Sequence, residues 1–476
     1  MTNADFTGPD SGLLDAVVSA AARGGGRRVE VFAEDRSSLS LRLEDGKIED
    51  AVSGVDRGAS VRVIRGLRTE FGYVDALDEG SLLHLAKELS GSQPGSGSAV
   101  AAGKGSQAHA GTAEPADPAT GPDRDAARAR VAASALLLRL ADQTARGLSG
   151  EIRQVTAVYG ESRQRVWIAD SDGTRASDDR VRKMLAVNVM AQRGTLLQMG
   201  RETLALQGSL EGFTEEQIAG LATTAAKRAL IMLDSIPAPT GRMPVVMANG
   251  FGGVLFHEAV GHGLEADYIL KKASVWEGRL GQRVAGEHVF AYDDGLTAGL
   301  WGSARCDDEG TPCQKTTVIE AGILTGYLTD RLRGGHLGFP LSGNGRRQDY
   351  RHLPYPRMTN TYFGVGAHKA DQIIADTSRA LYAKSLSGGQ VNPATGEFVF
   401  GVAEGYLIEN GRITTPVRGA TLIGSGPEVL LNVDAIADDL DTKAGSCGKE
   451  GQLVPVGTGQ PTIRIRELTV GGTSLG

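Results

Sequence analysis

The chain has 476 residues, 41% hydrophobic and 22% charged, with a formal net charge of −7. That length and apolar share can bury a large core in more than one domain, and the acidic balance lacks the basic footprint of a nucleic-acid binder, so direct DNA or RNA binding is not expected. No run of 18 apolar residues occurs, and residues 1–9 have neither a basic nor an apolar leader segment; no membrane span is expected, and the location is read as cytoplasmic.

Three cysteines, Cys306, Cys313 and Cys447, are too few for a disulfide framework, and their odd number favours a reducing compartment with one special thiol. Sixty-six glycines, about twice the usual share, favour turns and closely approaching backbones over long helices.

In chain order, residues 13–23 have amphipathic helical spacing and run into Gly24-Gly25-Gly26. Residues 29–32, 38–43, 47–53, 59–64 and 69–74 alternate apolar with polar and predict an antiparallel meander. Helical spacing returns at 79–89. Residues 90–123 are almost wholly Gly, Ser, Ala, Pro and Thr, a composition that predicts a disordered insertion. Beyond it come a helix over 126–146, strands over 152–158 and 165–169 with a turn at Asp170-Ser-Asp-Gly173, and strands over 181–192 and 196–207. Thr214-Glu-Glu-Gln217 is a capping box opening a helix to about Leu233, which Pro237 and Pro239 terminate.

The fold expected is α+β in two domains. Residues 1–238 form an N-terminal antiparallel sheet with helices, and 239–476 a mainly β domain carrying a metal-binding helix. In the second, residues 243–248 read as a buried strand, Asn249-Gly250 as a turn, and 316–319, 322–328, 397–409, 412–415 and 462–470 as strands. No internal repeat and no phosphate-cradling Gly-Lys-Ser loop is found.

The strongest chemical signal is His257-Glu258-Ala-Val-Gly-His262. Imidazoles hold a metal while an adjacent carboxylate moves protons. In a His-Glu-x-x-His helix the ligands lie about 40° apart around the axis, whereas the i, i+5 spacing here separates them by about 140° on an ideal helix. A single-turn π-bulge would restore a common face, and Gly261 and Gly263 would ease it. A catalytic site needs a further ligand, and Cys447, in the glycine-flanked loop Gly445-Ser-Cys447-Gly-Lys-Glu-Gly451, is the choice, although a lone cysteine is also often a small buried hydrophobe.

Glu265 and Asp267 read either as partners orienting a ligand histidine or as solvated helix residues. Cys306 and Cys313 have no accompanying ligand cluster, and His288, His336, His352 and His368 read as structural. The stretch 346–361 is either a proline-stiffened loop or a peptide-holding one, with Arg357 and Asn360 available for backbone carbonyls; Lys449 and Gln452 beside the cysteine, and Gly457-Thr-Gly459, share that ambiguity.

Taken together, His257-Glu-x-x-x-His262, Pro356-Arg-Met-Thr-Asn-Thr361, Ser446-Cys-Gly-Lys-x-Gly-Gln452, Pro455-Val-Gly-Thr-Gly-Gln-Pro461 and Leu468-Thr-Val-Gly-Gly-Thr473 resemble the TldD/PmbA family of metallopeptidases. The likeness covers nearly the whole chain, apart from the 90–123 insertion. It implies a zinc peptidase with one Zn2+ per catalytic subunit, ligands His257, His262 and Cys447, and Glu258 as base. It also implies a TldD-type catalytic subunit, since the histidine motif is present, paired with a TldE (PmbA) type partner in a heterodimer, or else a homodimer, around a cleft for unfolded peptides. The family matures peptide antibiotics and degrades small unfolded proteins. Arg357, Asn360 and Gly448 are the expected substrate contacts. The competing expectation is a non-catalytic peptide- or partner-binding module with a structural metal. A nucleobase deaminase is discounted, because His-x-Glu and Cys-x-x-Cys are both missing.

Overall fold

The computed structural model describes residues 8–25, 28–91, 100–101, 122–208 and 212–472; of the expected insertion, 92–99 and 102–121 lie outside the described residues. Its first half is built on a seven-stranded sheet in the order Val100–Ala101, Arg68–Val74, Lys47–Arg65, Arg28–Glu44, Ile152–Asp170, Arg175–Arg193, Leu196–Gln207. All neighbours are antiparallel except the short Val100–Ala101 pairing, which is parallel.

Four of these strands run 17 to 19 residues, well beyond the usual length. The expected interruptions around 33–37, 54–58 and 159–164 do not occur. Their polar residues resemble turns locally, yet the register passes through them unbroken, from Ala33↔Ala59 to Ser37↔Val55. Cross-strand ion pairs satisfy the charges instead, with Arg57 Nε 3.0 Å from Asp35 Oδ1 and Arg165 Nη2 2.6 Å from Asp35 Oδ2.

The two faces of the sheet have different partners because side chains alternate along a strand. Val29, Val31 and Ala33 pack with the helices Ser11–Ala22 and Glu79–Gly91, while Leu39, Leu41 and Leu43 pack with Pro122–Arg146 and Glu215–Leu233. Each fully buried leucine contributes about 1.5–3 kcal/mol by leaving water. The capping box forms as expected, with Thr214 Oγ1 accepting from Gln217 N at 3.2 Å and Gln217 Oε1 from Thr214 N at 2.9 Å. On the opposite face, Glu30, Phe32 and Glu34 meet the second half of the chain, where Arg347 donates to Glu30 and stacks on Phe32, and Tyr350 N donates to Glu34.

That second half contains two larger sheets. An eight-stranded sheet includes Gly241–Met247, Arg379–Val391, Glu397–Glu409 and Ile463–Gly471. A six-stranded sheet runs Ile323–Leu324, Lys315–Glu320, Ala291–Asp294, Asn360–Phe363, Gln452–Gln460, Asp441–Lys449. The helical stretch 251–264 packs into their common core through Leu255, Phe256, Val260 and Leu264, with Trp276 and Phe363.

The strand expected at 397–409 is Glu397–Glu409, whereas that at 322–328 shrinks to Ile323–Leu324. The loop expected around Cys447 is the hairpin of Asp441–Lys449 with Gln452–Gln460, turned by Glu450 and Gly451, both at positive φ (+52° and +73°). Glycine weakens strand propensity, but pairing along the full hairpin ladder overrides it here. No helix among the described residues is long and apolar enough to cross a membrane.

Candidate metal centre

The strand Gly241–Met247 ends in a turn at Gly250, whose φ of +82° suits glycine, and delivers the chain into the helical stretch that carries both histidines. That stretch changes pitch three times: 3-10 over Phe251–Gly253, α over Val254–Phe256, π over His257–Gly261, then 3-10 over His262–Leu264. In the π turn His262 N donates to His257 O, the i→i+5 bond that the spacing called for. It sets the two imidazoles 5.0 Å apart between centroids at 85°. The glycines also serve packing. A Cβ on Gly261 would stand 2.2 Å from Met358 Sδ, and one on Gly263 would stand 2.5 Å from Trp276 Cδ1.

Cys447 comes to the same place from the edge strand of the six-stranded sheet. Its Sγ is 3.4 Å from His262 Nε2, and the donor atoms of His257, His262 and Cys447 all lie within 4.8 Å of one another. All three residues are buried. Two imidazoles and a thiolate form the borderline-soft donor set that suits zinc, so the residues present fit such an ion. Burial opposes ionisation of Cys447, but the His262 and His257 imidazoles outweigh it and hold the thiol well below its usual range. The thiolate is the ligating form.

Around these groups lies a layer that orients them. His257 Nδ1 meets Thr361 Oγ1 at 3.3 Å, and His262 Nδ1 meets Glu265 Oε2 at 3.0 Å. Glu265 in turn accepts from Lys449 Nζ at 2.8 Å, while Lys449 also donates to Asp267 Oδ1 at 2.6 Å and to Pro356 O at 3.1 Å. Burial would raise the Glu265 carboxyl, but Lys449 and then His262 outweigh it and bring it down to about 2. An ionised Glu265 accepts the Nδ1 proton and so fixes the ring with Nε2 facing Cys447. Of the two readings open for this pair, the structure supports the orienting one for Glu265, while Asp267 is buried and holds Lys449 rather than a histidine.

Glu258 differs from the residues beside it. Its Oε2 lies 3.7 Å from His262 Nε2, and a quarter of its side chain (25%) remains exposed. Arg357 and Asn360 occupy different ground from that expected. Arg357 is fully buried and its Nη2 donates to Cys447 O at 2.5 Å. Asn360 is buried too, donating to Asp294 O at 2.5 Å and Ser303 Oγ at 3.0 Å and accepting from Gly302 N at 2.8 Å. Both side chains are buried and donate to the protein's own backbone. Gly448 is exposed on the edge strand, opposite Leu453.

Cys306 and Cys313 are buried, join no metal-ligating group among the described residues, and have thiols pushed up to about 12 by burial. His288 meets Val433 O at 3.0 Å and His352 pairs with Asp349 at 2.6 Å. Thr361 was not singled out from the sequence; the sheet face it occupies brings it to His257, and nothing in its local spacing signals that role.

Family models described as PmbA/TldA metallopeptidase domain 1, central domain and C-terminal domain match residues 29–92, 122–233 and 240–472. A metalloprotease TldD homologue of Haemophilus influenzae is 39% identical over 444 residues, 91% of this chain and 90% of that one. The chain belongs to the PmbA/TldD metallopeptidase family. It is thereby a metallopeptidase by class, a hydrolase of peptide bonds. Another relative in this family, a zinc metalloprotease TldD homologue of Saccharolobus solfataricus, is 32% identical over 318 residues, 66% of this chain and 68% of that one. The fold is also that of TldE from Thermococcus kodakarensis, with a TM-score of 0.74 at 16% identity over 97% of this chain and 100% of that one.

Proposed function

We propose that this chain is the catalytic, zinc-binding subunit of a peptidase for unfolded or short peptides, with His257, His262 and Cys447 holding one ion and Glu258 as the base. The observation that carries this reading is the convergence of three buried donors beside one carboxylate that still reaches solvent. Zinc, when bound, supplies Lewis acidity that polarises the scissile carbonyl and acidifies a water.

The chain's own residues do the rest. Glu258 takes the proton of the attacking water on a carboxylate oxygen and passes it to the leaving amine nitrogen. Glu265, held by Lys449, keeps the His262 proton on Nδ1, and Arg357 fixes the Cys447 carbonyl. Substrate docks as an added strand along Asp441–Lys449, the edge of the six-stranded sheet, where Ser446 and Gly448 are exposed. Strand addition reads backbone rather than side chains, which suits broad specificity in peptide maturation or in removal of small unfolded proteins. Likeness to a TldE fold supports pairing with a TldE-type partner around the cleft, and a cytoplasmic site of action is part of this proposal. A purely structural metal is disfavoured, because it gives the partly exposed Glu258 beside His262 no task.

The test compares zinc content and cleavage of an unfolded peptide in wild type, Glu258→Gln, His262→Ala and Cys447→Ala, each with and without a co-purified partner. Glu258→Gln should keep zinc and lose cleavage, and the other two should lose both. Cleavage by Glu258→Gln, or full zinc in Cys447→Ala, would overturn the assignment.

A further inference from the structure

A cluster of arginines, three of them outside any salt bridge among the described residues, lines a cavity on the far side of the cysteine hairpin. Cys447 pairs with Val454, so both point to the histidine side, while the neighbouring Leu453 and Pro455 point the other way. There they wall a cavity of about 280 Å³, closed opposite by the seven-stranded sheet and by Trp301.

Five arginines line it. Two are neutralised, Arg180 by Asp308 at 2.6 Å and Asp178 at 3.0 Å, and Arg347 by Glu30. The other three form no salt bridge among the described residues, although Arg36 feels the Glu34 carboxylate and Arg182 and Arg346 feel that of Asp308. Arg182, 6% exposed, donates to the carbonyls of Trp301 at 3.0 Å and Ser303 at 3.4 Å. Arg346, 8% exposed, donates to the carbonyls of Met358 and, at 2.7 Å, Pro455. The Arg36 side chain, half-buried, makes no hydrogen bond among the described residues. The two acids in the lining are already engaged, Asp308 with Arg180 and Glu161 with Tyr159 Oη at 2.6 Å and Arg130 at 3.3 Å. Burying guanidinium groups without an anion is unfavourable by several kcal/mol. The strain registers at Arg182, whose burial, with Arg180 and Arg346 close by, lowers it to about 9.

We infer that this cavity is a carboxylate-binding subsite in which Arg36, Arg182 and Arg346 take an acidic side chain or the C-terminal carboxylate of a peptide docked along Asp441–Lys449. The inference rests on the peptidase reading above. A strand added beside that edge sends every second side chain to the face where Leu453 and Pro455 stand, so its carboxylate and the bond at the metal centre lie on opposite sides of one peptide strand. Arginine suits the task because its planar fork grips a carboxylate through two parallel hydrogen bonds.

Four versions of one fluorescein-labelled unfolded decapeptide test this: a single Glu or its Gln counterpart, each with a free or amidated C-terminus. Binding is read by anisotropy on the full-length Glu258→Gln chain, and cleavage on wild type. Peptides with a carboxylate should bind roughly 10-fold tighter than the neutral one, an advantage that shrinks in high salt. Whether the Glu or the terminus carries that preference identifies the source of the anion. Adding Arg36→Gln should shrink the preference to within about 2-fold with neutral-peptide affinity unchanged. The Arg36 side chain holds no hydrogen bond, so that variant tests the idea even where Arg182→Gln fails to fold. Equal binding of all four peptides with cleavage intact, or a preference that survives Arg36→Gln, overturns the subsite alone. Failure of every peptide to bind or be cleaved overturns the peptidase reading and the subsite with it.

Discussion

Lys449 Nζ stands 2.8 Å from Glu265 Oε2, and this contact lets one strand hold both ends of the His262 ring. Cys447 and Lys449, two apart, project from the same face of Asp441–Lys449. The first meets Nε2, and the second reaches Nδ1 through Glu265.

Replacing Lys449 by Met should therefore weaken zinc affinity by about 10–100-fold, as loss of groups that orient metal ligands generally does. It should also lower stability by about 3–5 kcal/mol, because Glu265 and Asp267 remain buried without a counter-charge. Competition with a chromophoric chelator measures the first and urea unfolding the second. Unchanged zinc affinity would reduce Lys449 to a structural cation.

The π turn predicts a steric coupling. Gly261→Ala puts a methyl 2.2 Å from Met358 Sδ, and overpacking of this kind costs about 1–3 kcal/mol. Gly261 has an ordinary helical φ of −55°, so backbone strain adds nothing. Met358→Ala should restore part of the loss, and a double-mutant cycle in chemical denaturation would show a coupling of about 1 kcal/mol or more. Additive effects would mean that the clash is relieved elsewhere.

Glu34 sets a pH dependence at the junction of the two halves. Burial, with Asp349 nearby, raises its carboxyl from 4.5 to about 7 against the opposing pull of Arg36, Gln164 and the Tyr350 amide. Between those values the unfolded chain holds fewer protons than the folded one, so stability falls as pH rises from about 4.5 to 7. The loss is on the order of 3 kcal/mol. Glu34→Gln should flatten this slope, giving a larger stability gain over wild type at pH 8 than at pH 5. Parallel pH profiles for the two proteins would count against the raised carboxyl.

Cys306 and Cys313, both raised to about 12 by burial, should resist alkylation in the folded protein at pH 8 and react fully in denaturant. Mass spectrometry after iodoacetamide treatment would show either. Labelling of one of them before unfolding would place that thiol in a locally opening segment.

The sequence by itself determined what depends on short-range spacing. The i, i+5 histidines require a π turn because helix geometry leaves no other common face, and the turn is present at His257–Gly261. Thr214 and Gln217 announce their helix because a cap is satisfied within four residues. Cys447 could be singled out by its flanking glycines, but its conformation could not: local propensity favoured a loop, and pairing with Gln452–Gln460 made it a strand.

Tertiary structure alone decided the rest. Polar stretches near 33–37 and 159–164 look like turns until cross-strand charges satisfy them. The local sequence around Arg357 and Asn360 does not show that they are buried, nor that their partners are Cys447 O and the 294–303 loop. Arg36, Arg182 and Arg346 stand far apart in the chain, and only the stacking of one sheet on the other gathers them around a single cavity. Helix and cap geometry are local and can be read from spacing, whereas burial, sheet face and charge balance depend on partners far along the chain.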